Sequence, residues 1–98
     1  MRVTYHPRAQ TELIEAGKYY SARNPKIGGE FLDAIDAAAS TVGKDPQRNR
    51  EIEPGVRRYL LPRFPYALYY EILPDRVRIL AVKHHSRDES YWRGRLER

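Results

Sequence analysis

The segment VRRYLLPRFPYALYYEILPDRVRILAVK (56–83) decides the fold, because three strand-like runs follow one another with short breaks. The runs cover 56–61, 66–73 and 77–83, and both breaks contain proline, which ends a strand. Connections this short join neighbouring strands that run in opposite directions. The segment therefore predicts a three-stranded antiparallel meander.

Alternation along the middle strand predicts which side chains face the protein core. One face carries Tyr66, Leu68, Tyr70 and Ile72, and the other carries Ala67, Tyr69, Glu71 and Leu73. The first set is large and apolar enough to pack against helices. The second face is then expected to be bare, which is where a partner or substrate would bind.

Two helices are predicted before the meander, after a short strand at 2–5. The pairs His6-Pro7 and Asn24-Pro25 are typical helix starts, with proline in the first turn. Each is followed by apolar residues at helical spacing, and Lys44-Asp45-Pro46 ends the second run. A short linker between the two predicts an antiparallel helix hairpin.

The remaining segments complete a single domain over 1–98. Residues 47–55 are polar with Pro and Gly and predict a loop, and a short helical or irregular tail is expected from Asp88 on. The predicted fold is α+β, in the order β-α-α-β-β-β, with the helix hairpin packed on one face of a small antiparallel sheet.

Composition narrows the class of protein. The chain has 98 residues and no cysteine, which excludes disulfides, thiol nucleophiles and thiolate metal sites. It has no apolar run of membrane-spanning length and no apolar signal core near its start. We therefore expect a cytoplasmic protein without a membrane partner.

The charge favours an anionic partner. The formal net charge is +5, and nearly all basic residues after residue 50 are arginine, which suits planar recognition of phosphate or carboxylate. Nucleic acid and acidic protein fit equally well. Alternation predicts that Arg58 points to the bare face, and with Arg63, Arg78 and Tyr69 it is a candidate for binding nucleic acid or another target. The alternative is that these arginines only protect strand edges from aggregation.

The segment LAVKHHSRDESYW (80–92) holds the candidate catalytic groups. His84 and His85 are adjacent in a strand and point to opposite faces, so one metal ion cannot easily take both. No metal or cofactor is expected. His84 could act as a general acid or base, or could be a structural strand end. Trp92 is expected to cover the core, and the role of Tyr91 stays open.

The chain resembles small toxins of the RelE/ParE superfamily, found in type II toxin–antitoxin pairs. The resemblance covers essentially the whole length and rests on three features. They are the helix hairpin, GVRRYLLPRFPYALYYEI (55–72) and ILAVKHHSRDESYW (79–92). It implies a compact α+β toxin that is neutralised by a cognate antitoxin within a toxin–antitoxin hetero-oligomer.

Two activities are known in the superfamily, and the resemblance implies the ParE-like one more closely. RelE-like members cut mRNA on the ribosome and carry an arginine on the middle strand, which falls on Ala67 here. A partial set for a metal-independent endoribonuclease remains at His84, Arg87 and Tyr91, with Arg58 as a phosphate contact. ParE-like members inhibit DNA gyrase without hydrolysis, although Ser86 and Glu89 depart from the commoner arginine and proline of their ending.

Three hypotheses therefore stand. The first is a ParE-like toxin that binds DNA gyrase, and the second is an RNA-cutting toxin whose partners are the ribosome and mRNA. The third is an interaction module that binds an antitoxin without toxicity. Whether the chain is an enzyme is left open.

Overall fold

Two helices cover one face of a five-stranded sheet in a computed structural model that describes residues 1–97. The strands are β1 (Arg2–Tyr5), β2 (Glu51–Glu53), β3 (Val56–Leu60), β4 (Tyr66–Ile72) and β5 (Arg76–His84). The helices are α1 (Pro7–Arg23) and α2 (Pro25–Lys44), and a 3-10 helix (Arg93–Arg95) lies in the tail. The predicted α+β order is confirmed, with β2 as an added short strand. Neither helix in this range is long and apolar enough to cross a membrane.

The sheet has the order β1-β5-β4-β3-β2. Its centre is the predicted antiparallel meander of β3, β4 and β5. β1 adds to β5 in parallel, with Val3 opposite Val77, so the whole sheet is mixed. The prediction of a loop over 47–55 is wrong where β2 forms. This strand pairs antiparallel with β3, and the turn between them contains Gly55, where φ is +79°. Three residues are too few for alternation to reveal a strand.

Both helices begin where the sequence predicts. The side chains of His6 and Asn24 accept the backbone N–H groups of Arg8 and Lys26 at 3.0 and 2.9 Å, and a proline follows each cap. Such caps satisfy amide groups that have no partner within the helix. Asn24 alone separates the helices, which confirms the hairpin.

The hairpin depends on a close approach at Gly28. A Cβ atom there would lie 2.8 Å from the Cα atom of Ser21 on α1. We expect Gly28→Ala to lower the free energy of unfolding by about 1–3 kcal/mol, because the helices must move apart. The matched control is Gly29→Ala, where a Cβ atom meets nothing within 4 Å. Alanine there should stabilise the helix by up to about 1 kcal/mol, and urea unfolding of both variants measures the contrast.

The main core lies between the helices and the sheet. The predicted inward face of β4 is confirmed: Leu68 and Tyr70 are fully buried, and Tyr66 and Ile72 pack at the edges of the same cluster. Phe31 and Ile35 of α2 are also fully buried in that cluster.

A β-bulge changes which side chains of β5 point toward the helices. Tyr69 pairs with Ala81 but Tyr70 pairs with Ile79, so Leu80 is an extra residue. Ile79 and Val82 join the helix-side core, whereas Leu80 and Ala81 both pack on the other side. Beyond the bulge, the alternation of β5 is therefore reversed.

The sheet face away from the helices, here called the far face, is covered. The C-terminal segment (86–97) lies across it, and fully buried Trp92 packs with its ring centre 5.3 Å from that of Tyr69. Tyr69 and Glu71 are only 2% and 5% exposed. The prediction of a bare face is therefore wrong, and the prediction that Trp92 covers a core is confirmed. Alternation shows that this face is less apolar than the other, but it does not show which segment of the chain covers it.

Candidate functional site

The candidate residues separate into two sites on opposite sides of β5. His84 and Arg87 line a cleft of about 230 Å³ beside α1, here called the α1 cleft. Arg58 and Tyr69 line a cleft of about 270 Å³ on the far face. The residues that line the far-face cleft define the far-face site: Arg58, Leu60, Ala67, Tyr69, Lys83, His85 and Glu89.

In the α1 cleft, His84 is held by the turn that follows it. Its Nδ1 atom accepts the backbone N–H of Ser86 at 3.0 Å and lies 2.8 Å from the Ser86 hydroxyl. The His84 carbonyl accepts the N–H of Arg87, and its ring packs edge-on against Tyr66. These contacts fit the structural role of a strand end and also fix the ring beside the cleft.

Glu12 connects α1 to the C-terminal segment, and sequence reasoning missed it. Its carboxylate accepts two N–H groups of Arg95 at 3.0 and 3.1 Å and the backbone N–H of Val82 at 3.1 Å. Arg87 lies 3.6 Å away. β1 ends at Tyr5, so the Val82 amide has no strand beside it there, and Glu12 satisfies it. One feature of the sequence could have identified Glu12: it lies three residues after buried Ala9, so its carboxylate falls within the apolar stripe of α1.

Tyr91 lies between two guanidinium groups. The carbon of Arg87 is 3.9 Å and that of Arg95 is 4.9 Å from the ring centre. Burial, followed by the Glu12 carboxylate, raises the pKa of Tyr91 far above its ordinary value. The phenol therefore stays protonated at neutral pH, which disfavours it as a general base.

The far-face site gathers cations around one carboxylate. Glu89 accepts the Tyr69 hydroxyl at 2.6 Å and lies 3.5 Å from Arg58 and 3.4 Å from Lys83. Lys83 is 2% exposed, and His85 lines the same cleft. Hydrogen bonding to Tyr69 and the nearby cations lower the pKa of Glu89, so it is ionised at neutral pH. Sequence reasoning missed Lys83 because the bulge at Leu80 moves it to this face.

Other candidates lie elsewhere. Arg63 pairs with Glu30 of α2 at 2.6 Å, on the helix side of the protein. Arg78 lies 3.4 Å from Glu71 and donates to the carbonyl of Arg95 at 3.0 Å, so it holds the C-terminal segment. Glu71 is therefore the partner of an arginine. Neither Arg63 nor Arg78 lines the cleft that holds Arg58.

The chemistry that these sites offer is binding of an oxyanion or proton transfer by histidine. Among residues 1–97, no three His, Asp or Glu side chains are grouped so that they could hold a metal ion. Ala67, at the position of the nuclease arginine, is buried on the wall of the far-face site. That site has no arginine on β4.

Comparisons with known proteins agree with this fold. A family model described as the ParE toxin of type II toxin–antitoxin system, parDE, matches residues 3–89. A solved structure described as the chromosomal ParDE TA system from P. aeruginosa aligns with a TM-score of 0.62 at 20% identity. The alignment covers 86% of this chain and 95% of that one. A search of curated proteins gives no match. The family model covers most of the chain, which therefore belongs to the ParE toxin family of type II toxin–antitoxin systems.

Proposed function

We propose that this protein arrests growth when free, that a cognate antitoxin neutralises it by direct binding, and that its target is DNA gyrase. The observation that carries the proposal is the ParE family match over residues 3–89. The solved relative is itself described as a toxin–antitoxin system, which supports the antitoxin partner. Because gyrase acts in the cytoplasm, we propose that location for the toxin.

The geometry supports action by binding. His84 and Arg87 line the α1 cleft, whereas the phosphate contact expected at Arg58 lines the far-face cleft. Tyr91 contacts Arg87 but packs against the far-face core. Ala67 offers no charge to stabilise a scissile phosphate. A nuclease built from the predicted set would need its parts on one face.

An RNA-cutting toxin is the second candidate, and one observation favours it. Arg58, Lys83 and His85 line a single cleft, where two basic side chains and an imidazole could contact a phosphate. In that case the partners would be the ribosome and mRNA.

Induction of the protein alone in bacteria is expected to stop growth, with filamentation, a DNA-damage response and gyrase-dependent DNA breaks. Co-expression of the adjacent antitoxin gene should restore growth, because the antitoxin covers the toxin. Rapid arrest of translation with cut transcripts would support the nuclease instead. Normal growth with a folded, antitoxin-binding protein would support a non-toxic interaction module.

Variants of the predicted catalytic residues refine this experiment. For a toxin that acts by binding gyrase, His84→Ala and Tyr91→Phe should retain toxicity when each protein is expressed at equal level. Loss of a proton-transfer group in a nuclease would lower the rate by about 10²–10⁴-fold. Tyr91→Phe keeps the ring between the two guanidinium groups, so circular dichroism should show an unchanged fold.

A further inference from the structure

The cations of the far-face site are fixed by the sheet. Arg58 lies on β3 and Lys83 on β5, and the Tyr69 hydroxyl comes from β4 between them. Lys83 is almost fully buried, and its ammonium group donates to the carbonyl of His84 at 3.2 Å. A buried ammonium group is costly without a counter-charge. The site therefore requires an anion.

The anion that lies in the site in this structure is the Glu89 carboxylate, which is carried by a turn and not by the sheet. Glu89 lies between β5 and the 3-10 helix, where the chain forms turns without a helix or strand. Its side chain is 62% exposed, although it contacts three groups of the site. A carboxylate that is exposed and carried by a turn can be displaced while Arg58 and Lys83 stay in place.

The walls of the site favour a polypeptide ligand over nucleic acid. Tyr69 is 2% exposed, so its ring has no free face on which a base could stack. The nearby apolar surface is aliphatic: Leu60 is 54% exposed at the rim and Ala67 lies in the wall. A carboxylate next to an aliphatic side chain matches this combination.

We propose that the far-face site binds a carboxylate of an acidic partner segment, and that Glu89 occupies the site in the free protein. The partner displaces Glu89 and takes over its contacts with Tyr69, Arg58 and Lys83. The acidic partner is the antitoxin, and this inference rests on the proposed function only for that identification. Its test uses purified toxin and a synthetic peptide, so its failure and the failure of the gyrase proposal are separate results.

The test is binding of a blocked pentapeptide of alternating glutamate and leucine, measured by calorimetry. Glu89→Gln removes the competing carboxylate and keeps an acceptor for the Tyr69 hydroxyl. Affinity should rise at least about tenfold over the unmodified protein, as expected for freed charge-assisted contacts. Adding Lys83→Met to Glu89→Gln should abolish the gain.

Two controls separate this effect from simple charge. Asp33→Asn changes the net charge equally at an exposed position on α2 and should leave peptide affinity within about twofold. A ten-nucleotide single-stranded RNA should gain no more from Glu89→Gln than from Asp33→Asn. An equal gain in both variants, or a gain for the RNA in place of the peptide, would overturn the proposal.

A second variant keeps the inference testable if Glu89→Gln does not fold. Arg58→Gln leaves Glu89 in place and should weaken peptide binding by at least about threefold, because one cation of the site is lost. The matched control is Arg63→Gln, an exposed arginine on the helix side. Equal loss in the two variants would mean that the peptide binds by net charge alone, and the inference would fail.

Discussion

Trp92→Ala is expected to lower the free energy of unfolding by about 3–5 kcal/mol. The indole is fully buried against Tyr69 and is the largest side chain that joins the C-terminal segment to the far face. Its removal leaves a cavity under a segment that has only a short 3-10 helix of its own. A domain of this size has about 5–15 kcal/mol of stability, so the loss should be easily measured.

Two comparisons identify the cause of that loss. Within residues 1–97 the Trp92 Nε1 atom has no hydrogen-bond acceptor, so Trp92→Phe loses volume alone and should cost about 1–2 kcal/mol. Tyr19→Ala removes an aromatic ring that is 52% exposed and should cost less than about 1 kcal/mol.

Urea unfolding followed by far-UV circular dichroism suits all three variants, since Trp92 is the only tryptophan and fluorescence is lost with it. Acrylamide quenching of the unmodified protein tests the burial of Trp92 independently. Fast quenching together with a small effect of Trp92→Ala would mean that the segment does not cover the sheet.

The sequence predicts the architecture well because its signals are local. Proline after a capping residue marks both helix starts, and proline-containing breaks separate the meander strands. The alternation of β4 correctly divides Leu68 and Tyr70 from Ala67 and Tyr69. Each of these signals depends on neighbours within a few residues.

The candidate sites are predicted less well because they depend on non-local features. One extra residue at Leu80 reverses the end of β5, which places Lys83 and His85 on the far face and His84 in the α1 cleft. No residue type requires a bulge at that point. The ion pair between Glu89 and Lys83 likewise depends on the path of the C-terminal segment, which brings Glu89 back to the sheet.

Because the far face is covered, the residues at the end of the chain are interpreted differently from the sequence and from the structure. In sequence, HHSRDESYW (84–92) suggests a set of catalytic groups. In the structure, Trp92 fills a core, Tyr91 lies between arginines, and Glu89 neutralises a buried lysine. Much of this segment therefore serves to attach the tail to the sheet.

The second large effect is expected at Glu12, where Glu12→Gln should cost about 3–5 kcal/mol of unfolding free energy. Arg95 is 9% exposed and Glu12 is 12% exposed, so the substitution leaves a buried guanidinium group without its counter-charge. Glutamine can still accept the N–H of Val82, and hence the loss is mainly electrostatic. The matched control is Glu15→Gln, one helical turn further along the α1 cleft and exposed, with an expected change within about 0.5 kcal/mol.

A double-mutant cycle distinguishes an ion pair from general damage to α1. If Glu12 acts through Arg95, removing both partners should cost less than the sum of the single losses, because no buried charge is left unpaired. Glu12→Leu combined with Arg95→Met should therefore show a coupling of at least about 1 kcal/mol. Arg95 also donates to the carbonyl of Leu80 at 2.9 Å, so the double variant still loses some stability. Additive losses would instead show that Glu12 acts mainly through the Val82 amide and not through Arg95, and that the C-terminal segment is attached mainly through Trp92.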